Sequence, residues 1–538
     1  MTMHDLEIYF LLIGVIILVS FLANKTKIAL PILLMITGLF IGFCSNKALV
    51  SVSPEMVFLI FLPPLLFEAA FNVSWHEFKA FRKPIFFLAI GLVIFTALCV
   101  ALTVHLLIPE FSLLTGLLLG AIVAPSDAVA ATSVTKNLPV PKRVTTILEG
   151  ESLVNDASSL ILYQFALLAV TSGKLTWVNL PLNFIVMSGG GVLLGLCASF
   201  LFIYLLKKLN EATIATIISL LLPIIIYIIA EKLHISGVLA VVSCGLHLSW
   251  YASEVTSFQM RFKMKEFWEV LIFVLNGIIF ILLGLQLPEL TKQFDSQQLW
   301  HLIGNGLIIS LVVIIARIVW VFPVSYINVS LHNRYNQEKI VLGSNFNKHL
   351  FVIAWSGMRG MVSLAIAMAL PLTLLDGTIL PMRNEIVLLA FVVISITLIL
   401  HGLTLPLVIR KLKLAPENEE LAELERKLRQ QIFIDSLEYL DNELINHYPS
   451  AIIDEVKQKI VDELNYHVTD EPISKDYIAQ RLRAVDDLIA FQRKLLRDLH
   501  RNYNYGSTDI IRKIETDIDV HSLLIHSKLG GNSGHNAH

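Results

Sequence analysis

Charge is scarce in this 538-residue chain: 16% of its residues are charged and 55% are hydrophobic, for a mean hydropathy of +0.71. Soluble domains carry about 25% charge, which excludes a water-soluble fold for most of the length. The formal net charge of −2 offers no basic surface to a nucleic acid. Cysteine is scarce as well. Cys44, Cys99, Cys197 and Cys244 lie far apart in apolar runs, with neither metal-ligand spacing nor a disulfide framework, and read as small buried hydrophobes. The first apolar stretch, LEIYFLLIGVIILVSFLANKTK, lacks the basic leader and small-residue cleavage site of a signal peptide and is expected to persist as a first helix.

What is present is a series of long apolar runs. Roughly 20 apolar residues cross a bilayer as a helix. On that ruler the chain holds about 13 spans, at 6–23, 28–43, 55–72, 85–106, 113–134, 148–171, 183–206, 213–230, 235–250, 268–287, 300–326, 349–371 and 385–409. The expectation is an all-α polytopic membrane domain over residues 1–410. From Arg410 the character changes: KLKLAPENEELAELERKLRQQIF opens a charged stretch in which Ile432, Leu437, Leu440 and Leu444 recur at helical spacing. Residues 411–538 therefore read as a soluble helical domain with a flexible GGNSGHNAH end, and they carry no phosphate loop or catalytic motif. Orientation follows from Lys and Arg in the short loops. Loops after odd-numbered spans carry clusters such as Lys79, Arg82 and Lys83, or Arg261, Lys263 and Lys265. Loops after even-numbered spans hold only Lys47, Lys174, Lys232, Lys292 and Arg383. This bias puts the N-terminus outside and the tail in the cytoplasm.

Against that apolar background, EGESLVNDASS at 149–159 stands out, because a charge at mid-membrane costs roughly 2.5–3.5 kcal/mol even on lenient scales. Three spans hold charge near their middles: the sixth has Glu151, Asn155 and Asp156, the fifth has Asp127 after Pro125 and Ser126, and the twelfth has Arg359 between Gly357 and Gly360. Residues four apart share a helix face, so Ser152 lies near Asp156 and Glu151 near Asn155. One stripe offers oxygens to a small cation; the next offers a carboxylate to a base. Arg359 is the expected partner of Glu151, with Arg317 the rival, placed nearer the cytoplasmic end of its span. Pro125 and the paired glycines predict interrupted helices, tolerated at membrane depth only against protein or a watery cavity. The two breaks lie seven spans apart, as expected if spans 1–6 and 8–13 are inverted repeats, and such paired breaks point to a transporter's binding site.

The motifs GAIVAPSDAVAATSV, ILEGESLVNDASSLILY, HISGVLAVVSCGL, NGIIFILLGLQL, VIAWSGMRGMVSLAIAMAL and HGLTLPLVIRKL, in that order, resemble the monovalent cation:proton antiporters, in the branch of the NhaP-type antiporters and sodium/proton exchangers. The likeness covers about residues 6–410. It implies a 13-helix inverted-repeat fold with crossing broken helices 5 and 12, usually a homodimer in the plasma membrane. It also implies electroneutral exchange of Na+, Li+ or K+ for H+, serving pH and sodium homeostasis. By residue it implies Asp156 as the group that takes cation and proton in turn, with Ser152 beside it. Asn155 matches the first member of the Asn-Asp pair, and Glu151 with Arg359 the structural ion pair. Asp127, Ser126 and Glu68 would complete the surroundings of a Na+ held at Asp156, Ser152 and Asp127. His401 stands where many relatives have Gln. No resident cofactor is implied, and the partners are the ions, lipid and a second copy.

A buried carboxylate explains obligatory exchange. Desolvation disfavours the bare charge, so Asp156 crosses carrying a proton or a cation and does not cross empty. Other classes fit less well. An intramembrane aspartyl protease needs two carboxylates sharing a proton, but also a Gly-Asp motif, and here the aspartates follow Ser126 and Asn155. A cation channel could use the same ligands, and differs by lacking proton-coupled stoichiometry. Glu149 reads as a solvated residue near the cytoplasmic end of its span.

Overall fold

The computed structural model describes residues 3–26, 29–44, 57–73, 75–135, 138, 140–172, 180–209, 211–335, 345–368, 370–373, 380–413, 434–444, 453, 454, 457, 458 and 461. The chain divides into two units, Met1–Glu417 and Asn418–His538.

The first unit is helical: α1 (Met3–Thr26), α2 (Leu30–Cys44), α3 (Leu62–Asn72), α4 (Val93–Leu107), α5 (Leu113–Val123), α6 (Ala128–Thr135), α7 (Lys142–Ser172), α8 (Leu180–Lys208), α9 (Ala212–Lys232), α10 (Gly237–Val255), α11 (Phe258–Thr291), α12 (Ser296–Tyr335), α13 (Phe346–Trp355), α14 (Met361–Met368) and α15 (Arg383–Leu412). A π-helical turn, Val57–Phe61, leads into α3, and another, Phe87–Leu92, leads into α4. Among the described residues, seven helices are long and apolar enough to cross a membrane. Large side chains such as Phe40 and Leu106 stand outward, 70% and 81% exposed, as a lipid-facing surface requires.

Several helices overrun the lengths expected from hydropathy. Helix α7 starts at Lys142, α11 at Phe258, and α12 runs 40 residues to Tyr335. A hydropathy ruler measures the hydrocarbon slab, whereas backbone hydrogen bonding carries a helix on through polar turns.

Packing sorts the helices into two groups. Helices α1, α2, α3, α8, α9, α10 and α11 pack mainly with one another, and α4–α7 together with α12–α15 form a second group that packs mainly within itself. Between helices in lipid, association rests on close backbone approach. The contact of α2 with α11 shows it: a Cβ on Gly284 would stand 2.1 Å from the Met35 carbonyl oxygen, and one on Gly38 2.2 Å from that of Ile281.

Both expected breaks are present, seven spans apart. Helix α5 ends at Val123 and α6 begins at Ala128, while α13 ends at Trp355 and α14 begins at Met361. The two extended stretches cross, and the Asp127 N–H donates to the Met358 carbonyl at 2.8 Å. In the second unit, Leu437, Leu440 and Leu444 lie in the helical stretch 434–444, and Lys457 pairs with Asp441 at 2.8 Å. Ile432, the GGNSGHNAH end and most of 411–538 lie outside the described residues, as do the loop residues Lys27, Lys47, Lys136, Lys174 and Lys339.

Candidate functional site

The crossing leaves helix ends inside the protein, and charged side chains meet them. A helix N-terminus carries partial positive charge and its C-terminus partial negative charge. Asp127 precedes α6, and its Oδ1 accepts the Ala130 N–H at 3.1 Å, an N-cap bond that satisfies one of the orphan donors. At the opposite ends, Arg359 Nε donates to the Val123 carbonyl, the last of α5, at 2.9 Å, and its Nη1 to the Gly357 carbonyl at 2.6 Å. One anion at an N-terminus and one cation at a C-terminus neutralise the broken ends.

The ion-pair expectation is corrected here. Glu151 is held by Arg317, with Nη1 to Oε1 at 2.5 Å and Nη2 to Oε2 at 2.7 Å, and both residues are buried. Arg317 also donates twice to the Ile353 carbonyl near the end of α13, at 3.2 and 3.1 Å. It sits near the middle of the 40-residue α12, deeper than its distance from the end of an apolar run suggested, and that depth is why it meets Glu151. Arg359 instead bonds the carbonyl at the end of α5 and the Gly357 carbonyl within the second break.

Ser126 joins this network and is thereby withdrawn from the ion-ligand set. Its hydroxyl donates to Glu151 Oε1 at 2.8 Å and accepts from Asn155 Nδ2 at 2.9 Å and Arg317 Nη1 at 3.4 Å. Those bonds use its proton and both lone pairs. Asn155 also donates to the Ser126 carbonyl at 3.2 Å, so it braces the break from behind and is not among the residues lining the cavity. His401 is buried and packs edge-on against Trp355, the last residue of α13, with ring centroids 5.2 Å apart. Among the described residues, neither of its ring nitrogens has a hydrogen-bond partner.

In front of the crossing lies a cavity of about 390 Å³, between α3 and α11 of one helix group and α6, α7 and α14 of the other. Glu68, Asp127, Ser152 and Asp156 line it, together with Ser126 and Glu149, and no Lys, Arg or His does so among the described residues. The cavity reaches Asn72 and Val73 at the end of α3 and Thr132 on α6, the ends that precede the basic loops. Glu68 Oε1 accepts from Asn72 Nδ2 at 2.5 Å, and Ser152 Oγ accepts the Ala128 N–H at 3.2 Å. Asp156 is 6% exposed and within electrostatic reach of Asp127. Among the described residues, none gives its carboxylate a hydrogen bond or an ion pair. A buried anion normally has such partners, and this one faces the cavity without them.

Sequence reasoning read Gly360 only as a helix breaker and Glu149 as solvated, and missed the place of each in the cavity wall. Gly360 lets Asp127 approach α14: a Cβ there would stand 1.8 Å from Asp127 Oδ2 and 2.6 Å from its Cγ. Gly360→Ala is expected to push the carboxylate aside and lower turnover at least about tenfold, since misplacement by about 1 Å can cost a hundredfold. Wild-type turnover by the purified variant would show that the approach does not matter. The signal for Glu149 was its spacing, seven residues before Asp156 on the same helical stripe.

A family model described as sodium/hydrogen exchanger, transmembrane, matches residues 11–411. The sodium, potassium, lithium and rubidium/H+ antiporter of Bacillus pumilus (strain SAFR-032) is 32% identical over an alignment spanning 74% of this chain and 61% of that relative's length. The uncharacterized Na+/H+ exchanger YjcE of Escherichia coli (strain K12) is 27% identical, with 97% of this chain and 99% of that one aligned. The solved structure of the sodium proton antiporter MjNhaP1 from Methanocaldococcus jannaschii superposes with a TM-score of 0.60 at 20% identity, covering 74% of this chain and 99% of that one, a likeness of fold.

Proposed function

The chain belongs to the sodium/hydrogen exchanger family, and from that premise we propose that it exchanges Na+ for H+ with Asp156 as the carrier carboxylate. One observation carries the reading: Asp156 is buried, faces an acid-lined cavity at the crossing of two broken helices, and has no partner among the described residues. A free buried anion has an affinity to satisfy, and a proton or a small cation satisfies it equally in charge.

The proposed ligands beside Asp156 are Ser152, with Asp127 and Glu68 completing the negative surroundings of the cavity. Glu151, Arg317 and Arg359 hold the breaks in place, and Asn155 with Ser126 transmits that support to the cavity wall. Transport follows from alternating exposure: the group holding α4–α7 and α12–α15 carries the site past the group holding α3 and α11. A protonated or cation-loaded Asp156 is near neutral and can pass the dry barrier, whereas the bare carboxylate is held back by desolvation. The extension of the cavity toward the basic loops supports an inward-facing state, with the N-terminus outside and the tail in the cytoplasm. The protein is a multi-pass membrane protein; its placement in the plasma membrane, as a homodimer with a tail that regulates transport or strengthens the dimer, belongs to this proposal. Li+ and K+ are the alternative cations, in keeping with the substrates named for the Bacillus relative.

Purified protein in proteoliposomes, driven by a pH gradient, tests the single shared site. Proton and cation competition predicts that the cation KM rises by up to tenfold per unit fall in pH while the rate at saturating cation stays constant. A KM that does not move with pH would rule out competition at one carboxylate. Running Na+, Li+ and K+ in parallel identifies the preferred ion.

A further inference from the structure

Helix α7 lays one stripe along the cavity. Glu149, Ser152 and Asp156 follow at helical spacings of three and four residues, so Glu149 stands two turns, about 10.5 Å, from Asp156 toward the basic-loop end. Across the cavity, Glu68 on α3 is within electrostatic reach of both Glu149 and Glu269. The acids therefore run from the cavity's mouth inward, and no basic side chain lines it among the described residues. A second observation points to a cation: the Asp156 carboxylate at the inner end of the same stripe is more than nine-tenths buried and has no partner among the described residues.

We propose that Glu149 is a capture residue, setting how often a hydrated monovalent cation reaches Asp156 without taking part in its final coordination. This rests on the exchange reading above. Clefts lined by one sign of charge raise the local concentration of a counter-ion and lose that advantage as salt screens them. Glu149 is partly exposed, in the regime where screening acts. Removing its charge leaves Asp156, Ser152 and Asp127 in place, so the signature is in KM and not in turnover.

The experiment compares wild type, Glu149→Gln and Glu149→Asp in proteoliposomes, with Na+ as the probe and choline chloride setting ionic strength. In Glu149→Gln the KM for Na+ rises about three- to tenfold at low ionic strength, kcat is unchanged, and the difference shrinks toward one at high ionic strength. Glu149→Asp keeps the wild-type KM. A merely structural role would instead lower kcat, or shift KM equally at every ionic strength, and either result overturns the inference. Unaltered KM in Glu149→Gln, with the wild type exchanging normally, overturns this inference alone. A wild-type protein without exchange overturns the transport reading together with it.

Discussion

Asp156→Asn is expected to abolish cation/proton exchange, to below about 1% of the wild-type rate, with a melting temperature equal to or above that of wild type. The two halves of this expectation come from the same observation. The carboxylate is 6% exposed and, among the described residues, makes no hydrogen bond and no ion pair, so replacing it with a neutral amide breaks no contact and relieves a desolvation penalty. The same change removes the carboxylate at which proton and cation would compete. A hundredfold loss needs about 2.7 kcal/mol. Direct coordination of a cation by an anion in a partly dry cavity exceeds that even at an effective dielectric of about 20. Sites built for function commonly lower stability in this way. Proteoliposome exchange and thermal unfolding of the same preparation check both halves, and retained exchange in the folded variant would reject Asp156 as the carrier.

The second large effect concerns Arg317. Arg317→Met is expected to cost roughly 3–5 kcal/mol of stability, because it strands Glu151 as an uncompensated buried charge, and it also takes both donors from the Ile353 carbonyl. Adding Glu151→Gln should recover a substantial part of the loss, since the stranded charge disappears. Arg359→Met behaves differently: it leaves the Val123 and Gly357 carbonyls without their donor, at about 1–3 kcal/mol each, and Glu151→Gln does not repair it. Thermal unfolding of the four variants in detergent separates the two arginines. Equal rescue of both by Glu151→Gln would mean that they share the carboxylate, against the geometry described.

Much of the membrane unit was legible because lipid is an exacting solvent. Apolar runs marked the helices, and Pro125 with Gly357 and Gly360 marked the breaks, since backbone that cannot continue a helix at that depth must be sheltered. Asp156 was conspicuous because a carboxylate amid Leu, Val and Ala has few reasons to be there. The partner of Glu151 was not legible in the same way. Arg317 and Arg359 are both lone bases in apolar segments, and a one-dimensional ruler placed Arg317 too close to the membrane surface. Glu149 was read as solvated because the apolar run starts at about residue 148, yet α7 begins at Lys142 and carries Glu149 into the cavity wall. Ser126 and Asn155 look like oxygen ligands by composition. Only the bonds of Ser126 to Glu151, Asn155 and Arg317 reveal that its hydroxyl is already spent, and that Asn155 turns its amide N–H to Ser126 and not to the cavity.

The sequence by itself determined that this chain lives in a membrane, where its helices interrupt, and which carboxylate has no business being buried unless something binds it. Hydration free energies are local, one residue at a time, and they leave their record in the order of residues. The tertiary structure decided who neutralises whom: Arg317 for Glu151 and the carbonyl end of α13, Arg359 for the carbonyl end of α5 and the Gly357 carbonyl in the second break, Asp127 for the start of α6. Those choices depend on where two crossing backbones set their orphaned N–H and C=O groups, and that geometry exists only once helices distant in the chain have packed.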